Sequence, residues 1–426
     1  MSTDAGTGAG TGAAEVLARC ARLDTFSAHP RHLERTHLTP EHAQANAQVA
    51  RWLERAGLET WQDAAGNQWG RVEGRTPGLP ALVLGSHLDT VPDAGSFDGM
   101  LGVVMAIAVV ERLRGRVGDL PFALEVVAFS DEEGARFGKA LLGSQAVAGT
   151  WDDDWWELRD RTGTTLHQAF TAFGLDPRRV GEAARRPEDL VGYLEAHIEQ
   201  GPHLEAADAS LGYVTTIAGA RRFRLAVVGE ARHAGGTPYS RRHDALTGAS
   251  EAILAVERLG RASQGVATVG RIEVTPGAVN VVPGRADFSL DVRAATDASR
   301  DALWEAIHAE IVAACDARDL RLEVVETHTA PAAPCAAWLQ AAVVDGIRAT
   351  GDHDPMGLWS PAGHDAMAMA AVADIAMLFV RCHDGISHHP DEAVREIDVA
   401  RGLDALEHAV LAVRTAVEAR PSVPAS

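Results

Sequence analysis

The chain has 426 residues, of which 46% are hydrophobic and 23% charged, and this composition excludes a disordered or fibrous protein. Its length favours two or three domains over one. Acidic residues outnumber basic ones by 59 to 39, a net charge of -20, which argues against nucleic acid or an anionic membrane as the main partner. With no apolar run of membrane-spanning length, no signal-peptide pattern and no CxxC pair among four cysteines, we expect a reduced, cytoplasmic protein.

The first half of the chain alternates helix and strand signals. Apolar residues recur at helical spacing between 41 and 56, and Gly57 supplies a stop. Another helix is predicted at 103–113, and short apolar runs predict buried strands at 81–85, 122–129 and 193–198. Strands and helices in this order predict an α/β fold with a mostly parallel sheet covered by helices.

The pattern changes after about residue 210. Strands are predicted at 223–228, 267–274, 286–292 and 320–325, and helices at 243–259 and 297–317. This β-α-β-β-α-β order is typical of a small α+β sandwich. The α/β pattern then resumes with a helix at 336–349, a strand at 375–380 and a terminal helix from Ile397. We therefore predict a flexible tail (1–15), a catalytic domain in two parts (16–211 and 329–426) and an inserted lid and dimerisation domain (212–328).

Polar side chains follow the predicted strands, where open α/β sheets bind their ligands. They are His87, Asp89 and Asp98, Asp131 to Glu133, His197, Glu199 and Gln200, and His388 and His389. Imidazole and carboxylate groups without thiolate suit zinc, manganese or cobalt. Most single histidines are core or surface groups, but four such clusters after strands favour a metal site.

The same residues suggest two metal ions. A paired site needs a bridging carboxylate, terminal ligands on each ion and an unligated base that deprotonates the attacking water. Glu132 and Glu133 could divide the last two tasks, because adjacent residues at a strand end point to different sides. A solvated turn is the alternative for this pair, but the pair closes an apolar strand beside Gly134.

Eight segments of the chain resemble, in order, those of the hydantoinase/carbamoylase-type amidases. They are GSHLDTVP, FDGMLGV, SDEEGARF, HIEQGPHLE, ARHAGGTP, PGAVNVVPG, AGHDA and GISHHPDE. The resemblance runs from about Leu38 to the C-terminal helix and includes Asp63, Gly66, Asn67 and Gly70. These amidases belong to the co-catalytic zinc peptidases related to aminoacylase and carboxypeptidase G. They include N-carbamoyl-L-amino-acid hydrolases, allantoate amidohydrolases and related ureido-acid hydrolases.

The resemblance implies a metal-binding role for several positions. Two divalent ions per subunit, Zn²⁺ or Mn²⁺ with Co²⁺ also compatible, would be bound by the bridging Asp98 and by His87, Glu133, His197 and His388. Glu132 would be the general base, and Asp89 would orient His87 through its second ring nitrogen. Peptidase relatives usually carry a carboxylate where this chain has His197, whereas the ureido-hydrolase branch carries histidine. His383 and His389 are interpreted as neighbours that bind no metal.

The resemblance also implies substrate contacts. Arg293 would bind a substrate carboxylate, because a guanidinium pairs with it through two hydrogen bonds; a surface salt bridge is the alternative. The other predicted contacts, to the carboxylate, the scissile carbonyl and the far wall of the pocket, are Gln200, Asn280, His233, Gly363 and His364. His233 and Asn280 lie in the inserted domain, which would close over the metals and which forms the dimer interface in relatives.

We therefore predict a homodimeric amidohydrolase that cleaves the ureido C–N bond of allantoate or an N-carbamoyl-L-amino acid, releasing ammonia and carbon dioxide. A metal-bridged water would attack, His233 would stabilise the oxyanion, and Glu132 would pass the proton to the leaving nitrogen. The SDEEG and SHHPDE variants favour allantoate. An N-acyl-amino-acid deacylase or dipeptidase is an alternative that His197 disfavours. A non-catalytic metal-binding protein is another, disfavoured because the base and all ligands are retained.

Two segments depart from the family pattern. Tyr239 in HAGGTPY stands where the family has a flexible methionine, so the pocket shape does not transfer in detail. The segment 151–160 (WDDDWWELRD) is unusually rich in tryptophan. We interpret it as a packed surface loop, with an aromatic flap near the cleft as the alternative.

Overall fold

The computed structural model describes residues 11–419 and divides the chain into two compact units. The first unit comprises the chain up to Thr215, Pro334–Leu358 and the chain from Gly363 onward, and the second comprises Thr216–Ala333 and Trp359–Ala362. The predicted domain limits stay predictions, and the short second piece of the second unit has no counterpart among them. No helix between residues 11 and 419 combines the length and apolar character needed to cross a bilayer.

The α-helices of the described chain are α1 (Ala13–Asp24), α2 (Pro40–Ala56), α3 (Met100–Leu113), α4 (Leu142–Val147), α5 (Leu166–Phe173), α6 (His203–Ala206), α7 (Ala245–Ala262), α8 (Asp297–Asp316), α9 (Ala337–Ala349), α10 (Asp365–Met369) and α11 (Glu396–Ala419). Helix α1 begins at Ala13, so residues 13–15 of the predicted tail are helical. The small side chains there also suit a helix, and Gly12 is the residue before its first turn. Residues 1–10 of that tail lie outside the described residues.

The strands are β1 (Glu59–Gln62), β2 (Gln68–Val72), β3 (Ala81–His87), β4 (Ala123–Phe129), β5 (Leu190–Ile198), β6 (Leu211–Ile217), β7 (Gly219–Val228), β8 (Arg232–His233), β9 (Val266–Thr268), β10 (Ile272–Thr275), β11 (Val281–Val282), β12 (Arg285–Ala294), β13 (Arg321–Ala330), β14 (Ala333–Pro334), β15 (Met356–Ser360) and β16 (Ile375–Val380). The single strand predicted at 267–274 is wrong, since β9 and β10 are separate strands that both pair with β12. Gly270 lies in the break, and glycine weakens a strand interior.

The larger sheet of the described chain has the strand order β1-β2-β4-β3-β5-β16-β6-β14, with β15 beside β6. Its central strands β4, β3, β5 and β16 run parallel. Strand β1 pairs antiparallel with β2, β2 with β4, and β6 with β16. Every residue of β3 and β4 is buried, as expected of parallel strands covered on both faces. The predicted α/β class with a mostly parallel central sheet is confirmed.

Helices α2 and α3 lie against strands of the larger sheet. Thr39 caps the start of α2 by accepting a hydrogen bond from the His42 amide, and Gly57 ends it in a left-handed conformation. Helix α3 is apolar all round and almost wholly buried, so it lies inside the unit rather than on its surface. It begins at Met100, directly after Asp98 and Gly99, and this places the start of a rigid element at the predicted metal site.

The second unit contains an antiparallel sheet in the order β10-β12-β7-β13, with β9 also on β12. In β12 buried residues alternate strictly with partly exposed ones, from Ala286 to Ala294. Because buried and exposed residues alternate, one face of the sheet points toward a core that it shares with α7 and α8. Trp304 of α8 stacks on Phe223 of β7, with ring centres 3.7 Å apart.

Candidate metal centre

The predicted metal ligands lie at one edge of the larger sheet. Strands β4, β3, β5 and β16 are neighbours and parallel, so their carboxyl ends meet there. His87 is the last residue of β3 and His197 is the second-last of β5. Glu132 and Glu133 follow β4, and His388 lies in the loop after β16. The strands thus bring together side chains from four distant parts of the sequence.

Asp98 is shared by two groups of potential ligands. The ligand atoms of His87, Asp98 and His197 lie within 4.8 Å of one another, and so do those of Asp98, Glu133 and His388. Asp98 Oδ1 is 3.4 Å from His87 Nε2 and 3.2 Å from His197 Nε2. Its other oxygen, Oδ2, is 3.2 Å from His388 Nε2, which is 3.4 Å from Glu133 Oε1. Each oxygen therefore faces a different group, as a carboxylate shared by two ions requires.

These separations fit divalent ions. Zn²⁺ binds nitrogen and oxygen at about 2.0–2.2 Å in tetrahedral geometry, which places neighbouring ligand atoms about 3.3–3.6 Å apart. The four separations in the two groups, 3.2–3.4 Å, lie within or just below this range. The imidazole and carboxylate donors also suit Mn²⁺ and Co²⁺. The residues present are therefore suited to a binuclear metal site.

The tautomers of the two buried imidazoles support this fit. His197 Nδ1 lies 2.9 Å from the carbonyl oxygen of Ile198, and His87 Nδ1 lies 3.1 Å from that of Asp89. A carbonyl oxygen only accepts hydrogen bonds, so each Nδ1 carries the ring proton. In the neutral ring Nε2 is then the unprotonated nitrogen, and it is the ring atom that faces Asp98 Oδ1. Each neutral imidazole can therefore offer Nε2 to a metal ion beside Asp98.

Gly99 makes room for this arrangement. Its φ of 68° lies in the left-handed region, and a Cβ there would come within 2.5 Å of the His87 ring. Only glycine therefore fits between Asp98 and the start of α3.

Asp89 holds the turn that carries the two glutamates. Its Oδ1 accepts a hydrogen bond from the Glu132 amide at 2.9 Å, and its Oδ2 accepts one from the Glu133 amide at 3.1 Å. The same Oδ1 lies 3.4 Å from His87 Nδ1. One carboxylate thus links His87 to both neighbouring glutamates. His87, Glu132 and Glu133 also form a third group of closely spaced ligand atoms.

The buried carboxylates create a site that needs positive charge. Burial raises the pKa of Glu132 well above its ordinary value, and Glu133 and Asp365 add to this while His87 opposes it. Burial and the charge of Asp98 raise the pKa of Glu133 to about 7. In Asp98 burial acts in the same direction, but hydrogen bonds from histidines hold its pKa well below the ordinary value. Divalent ions would compensate this concentration of negative charge.

Three predicted substrate residues lie beside these ligands in the first unit. Gln200 has left-handed backbone geometry, with φ of 55°, and donates from Nε2 to Asp98 Oδ2 at 2.8 Å. The buried His364 ring packs edge-on against the His197 ring, with centres 4.6 Å apart. A Cβ on Gly363 would lie 3.4 Å from Glu132 Oε1. Their contact with a substrate stays a prediction.

The other three predicted substrate residues belong to the second unit. His233 is exposed and accepts a hydrogen bond on Nδ1 from the Gly236 amide at 2.9 Å, so its Nε2 carries the proton. Asn280 is next to Val281, which pairs with His233. Arg293 donates to both oxygens of Asp291, at 2.8 and 3.0 Å, and to the Pro361 carbonyl. The salt bridge considered from the sequence is therefore present, and one N–H on each terminal nitrogen of Arg293 remains.

The two segments that depart from the family pattern, 151–160 and the one around Tyr239, make ordinary packing contacts. Trp151, Trp155 and Trp156 pack against a buried cluster that includes Phe170, as the packed-loop interpretation expects. Tyr239 is 85% exposed, and the Arg242 guanidinium lies 4.3 Å from its ring centre.

Two residues next to the ligands were missed in the sequence, although both lie in the GISHHPDE segment. Ser387 Oγ is 2.6 Å from Asp98 Oδ2, and buried Glu392 accepts hydrogen bonds from the Phe97 and Asp98 amides. The sequence shows only that one serine and one glutamate lie close to His388. It does not reveal that their partners, Phe97 and Asp98, lie about 290 residues earlier in the chain.

Comparison with known proteins covers most of the chain. The model of peptidase family M20/M25/M40 matches residues 83–412. An allantoate deiminase from Arabidopsis thaliana is 39% identical over 426 aligned residues, 92% of this chain and 81% of that protein. An N-carbamoyl-L-amino acid amidohydrolase from Geobacillus stearothermophilus is 39% identical over 377 residues, 88% of this chain and 92% of that protein. A hydantoinase/carbamoylase family amidase from Burkholderia multivorans superposes with a TM-score of 0.86 at 31% identity, over 95% of this chain and 98% of that one.

Proposed function

Because this chain belongs to peptidase family M20/M25/M40, on its hydantoinase/carbamoylase branch, we propose that it is a metal-dependent amidohydrolase of ureido acids. It hydrolyses a non-peptide C–N bond in a linear ureido group. The observation that carries the proposal is Asp98, whose two oxygens face two separate ligand groups at 3.2–3.4 Å. The family assignment made from sequence motifs is confirmed.

The substrate class follows from the relatives and from simple chemistry. A protein named for allantoate and one named for N-carbamoyl-L-amino acids are both 39% identical to this chain. Both compounds carry a carboxylate beside a ureido group, so one set of contacts serves either. Identity therefore does not separate them, and the SDEEG and SHHPDE variants are the observation that favours allantoate.

The chain's own residues divide the chemical tasks. The two ions, Zn²⁺ or Mn²⁺, would be held by the two Asp98 groups and would polarise the ureido carbonyl and acidify a water molecule. Glu132 takes a proton from the attacking water and delivers it to the departing nitrogen, which leaves as ammonia. The carbamate that remains decomposes to carbon dioxide and the amine. His233 donates from Nε2–H to the oxygen that becomes negative, and Arg293 binds the substrate carboxylate.

We also propose a homodimer formed through the second unit and a cytoplasmic location. The location is supported by the four cysteines, Cys20, Cys315, Cys335 and Cys382, all of which are buried free thiols. Size-exclusion chromatography with light scattering measures the assembly: a dimer is expected, and a monomer would contradict it.

Arg293→Lys is expected to raise KM about 10–100-fold, since a hydrogen bond to a charged group is worth about 1.5–3 kcal/mol and an ammonium loses the two-pronged geometry. Steady-state kinetics measure the change. Arg222→Lys is the matched control, because Arg222 also pairs with Asp291, at 2.8 Å, and should leave KM unchanged. A substrate analogue with a carboxamide in place of the carboxylate should be equally poor for wild type and Arg293→Lys. An unchanged KM in Arg293→Lys would contradict the proposed contact with the substrate carboxylate and leave Arg293 only its structural role in the salt bridge with Asp291.

A substrate screen tests the proposed function. Metal-reconstituted protein is assayed for ammonia release from allantoate, β-ureidopropionate and a panel of N-carbamoyl-L-amino acids. N-acetyl amino acids and dipeptides serve as controls for a deacylase or dipeptidase, detected by their released amino acids. We expect ammonia from at least one ureido acid and no turnover of the controls. Turnover of the controls alone would replace the proposal with the deacylase or dipeptidase alternative.

A further inference from the structure

Glu392 lies next to the metal centre, in the loop that also carries His388. Its side chain is buried, with 5% of the residue exposed, although it is a carboxylate without a basic partner among its hydrogen bonds. A Cβ on Gly95 would come within 2.3 Å of the Glu392 side chain, so the absence of a side chain at Gly95 permits this packing. Burying a carboxylate costs free energy unless hydrogen bonds compensate it, so the groups that bond to Glu392 are the ones it is held against.

One oxygen of Glu392 contacts the backbone next to Asp98, and the other contacts Ser387. Oε1 accepts from the Phe97 amide at 2.7 Å and from the Asp98 amide at 3.1 Å. Oε2 lies 3.0 Å from Ser387 Oγ. Glu392 therefore fixes the backbone of Asp98 directly and touches the hydroxyl that contacts the Asp98 side chain.

Ser387 lies between Asp98 and Glu392. Its Oγ is 2.6 Å from Asp98 Oδ2 and 3.0 Å from Glu392 Oε2. A hydroxyl has one proton, and the shorter separation assigns it to Asp98. Gln200 Nε2 donates to the same Oδ2 at 2.8 Å. Both donors contact Oδ2, while Oδ1 faces His87 and His197.

We propose that Glu392 is a positioning residue that sets how the Asp98 carboxylate is divided between the two ions. It belongs to neither ligand group and acts through the Asp98 amide and through Ser387. The inference rests on the proposed metal pair, since a shared carboxylate needs two ions to share it. Residues that orient metal ligands in this way typically contribute about 10–100-fold to metal affinity or activity.

Metal titration of the full-length chain tests this role. Apo protein is titrated with Co²⁺ by calorimetry, and the visible absorption of bound Co²⁺ reports ligand geometry. Glu392→Ala should weaken Co²⁺ binding about 10–100-fold and alter the spectrum. Glu392→Gln should stay close to wild type, because its amide oxygen still accepts from both backbone amides and its N–H reaches Ser387. Rescue by glutamine would show that geometry, rather than charge, is what Glu392 supplies.

Glu125→Ala is the matched control for the loss of a buried glutamate. Glu125 is 2% exposed and pairs with Arg71 and Arg185, neither of which is a ligand. This variant should lower Tm but leave Co²⁺ affinity and spectrum unchanged. If Glu392→Ala also changes Tm alone, Glu392 is merely structural and the inference is overturned. If Glu392→Ala does not fold, Ser387→Ala decides in the same way, since it removes the hydroxyl and keeps the backbone bonds. A wild-type chain that binds no Co²⁺ would instead contradict the proposed function.

Discussion

Glu132→Gln is expected to lower kcat by about 10²–10⁴-fold while metal content stays at the wild-type level. The substitution preserves the shape of the side chain and removes the group that accepts the proton. It also leaves intact the two Asp98 groups, neither of which includes Glu132. The loss lies toward the upper end of this range if the same carboxylate first takes the proton and then returns it to the leaving nitrogen.

Glu133→Gln should behave differently because Glu133 is a ligand. Its Oε1 lies 3.4 Å from His388 Nε2, across the second Asp98 group, and a neutral amide binds a divalent ion poorly. Both metal content and kcat should therefore fall. Elemental analysis of bound metal together with kcat gives the contrast between the variants. If Glu132→Gln loses metal and Glu133→Gln keeps it, the roles are reversed, which the closeness of both to His87 makes a real alternative.

Asp98→Asn is the second variant with a large expected effect. An amide offers one oxygen and no charge, so it cannot be shared between two ions as a carboxylate is. We expect at most one ion per subunit and a loss of kcat at least as large as that of Glu132→Gln. Asp131→Asn is the control, because Asp131 is equally buried near the site but belongs to neither Asp98 group. Its metal content should match wild type, and two ions retained in Asp98→Asn would contradict a shared carboxylate.

The arrangement of the ligands could be predicted because it depends on strand ends. His87, His197 and Glu133 each close or follow an apolar strand, and parallel strands bring such positions to one edge of a sheet. Asp98 was identified by its motif, but its distances to both histidines depend on Gly99 and on the exact start of α3. The partnership of Glu392 with residues 97 and 98 joins loops that are far apart in the chain, and no local pattern encodes it.

The salt bridge of Arg293 was considered from the sequence, and its partner could also have been named there. Asp291 and Arg293 are two positions apart in β12, so both side chains lie on the same face of the strand and can pair. The division of the predicted strand at 267–274 into β9 and β10, in contrast, could not be predicted from local spacing alone. Both pieces pair with β12, and their separation depends on that tertiary register as well as on Gly270.

Stepwise return of metal to the apo protein tests the central claim most directly. Chelated protein should have no activity toward the preferred ureido acid in the ammonia assay. On addition of Zn²⁺, Mn²⁺ or Co²⁺, ammonia release should rise and reach its plateau at two ions per subunit, as the two groups sharing Asp98 require. Full activity in demonstrably metal-free protein would contradict the account.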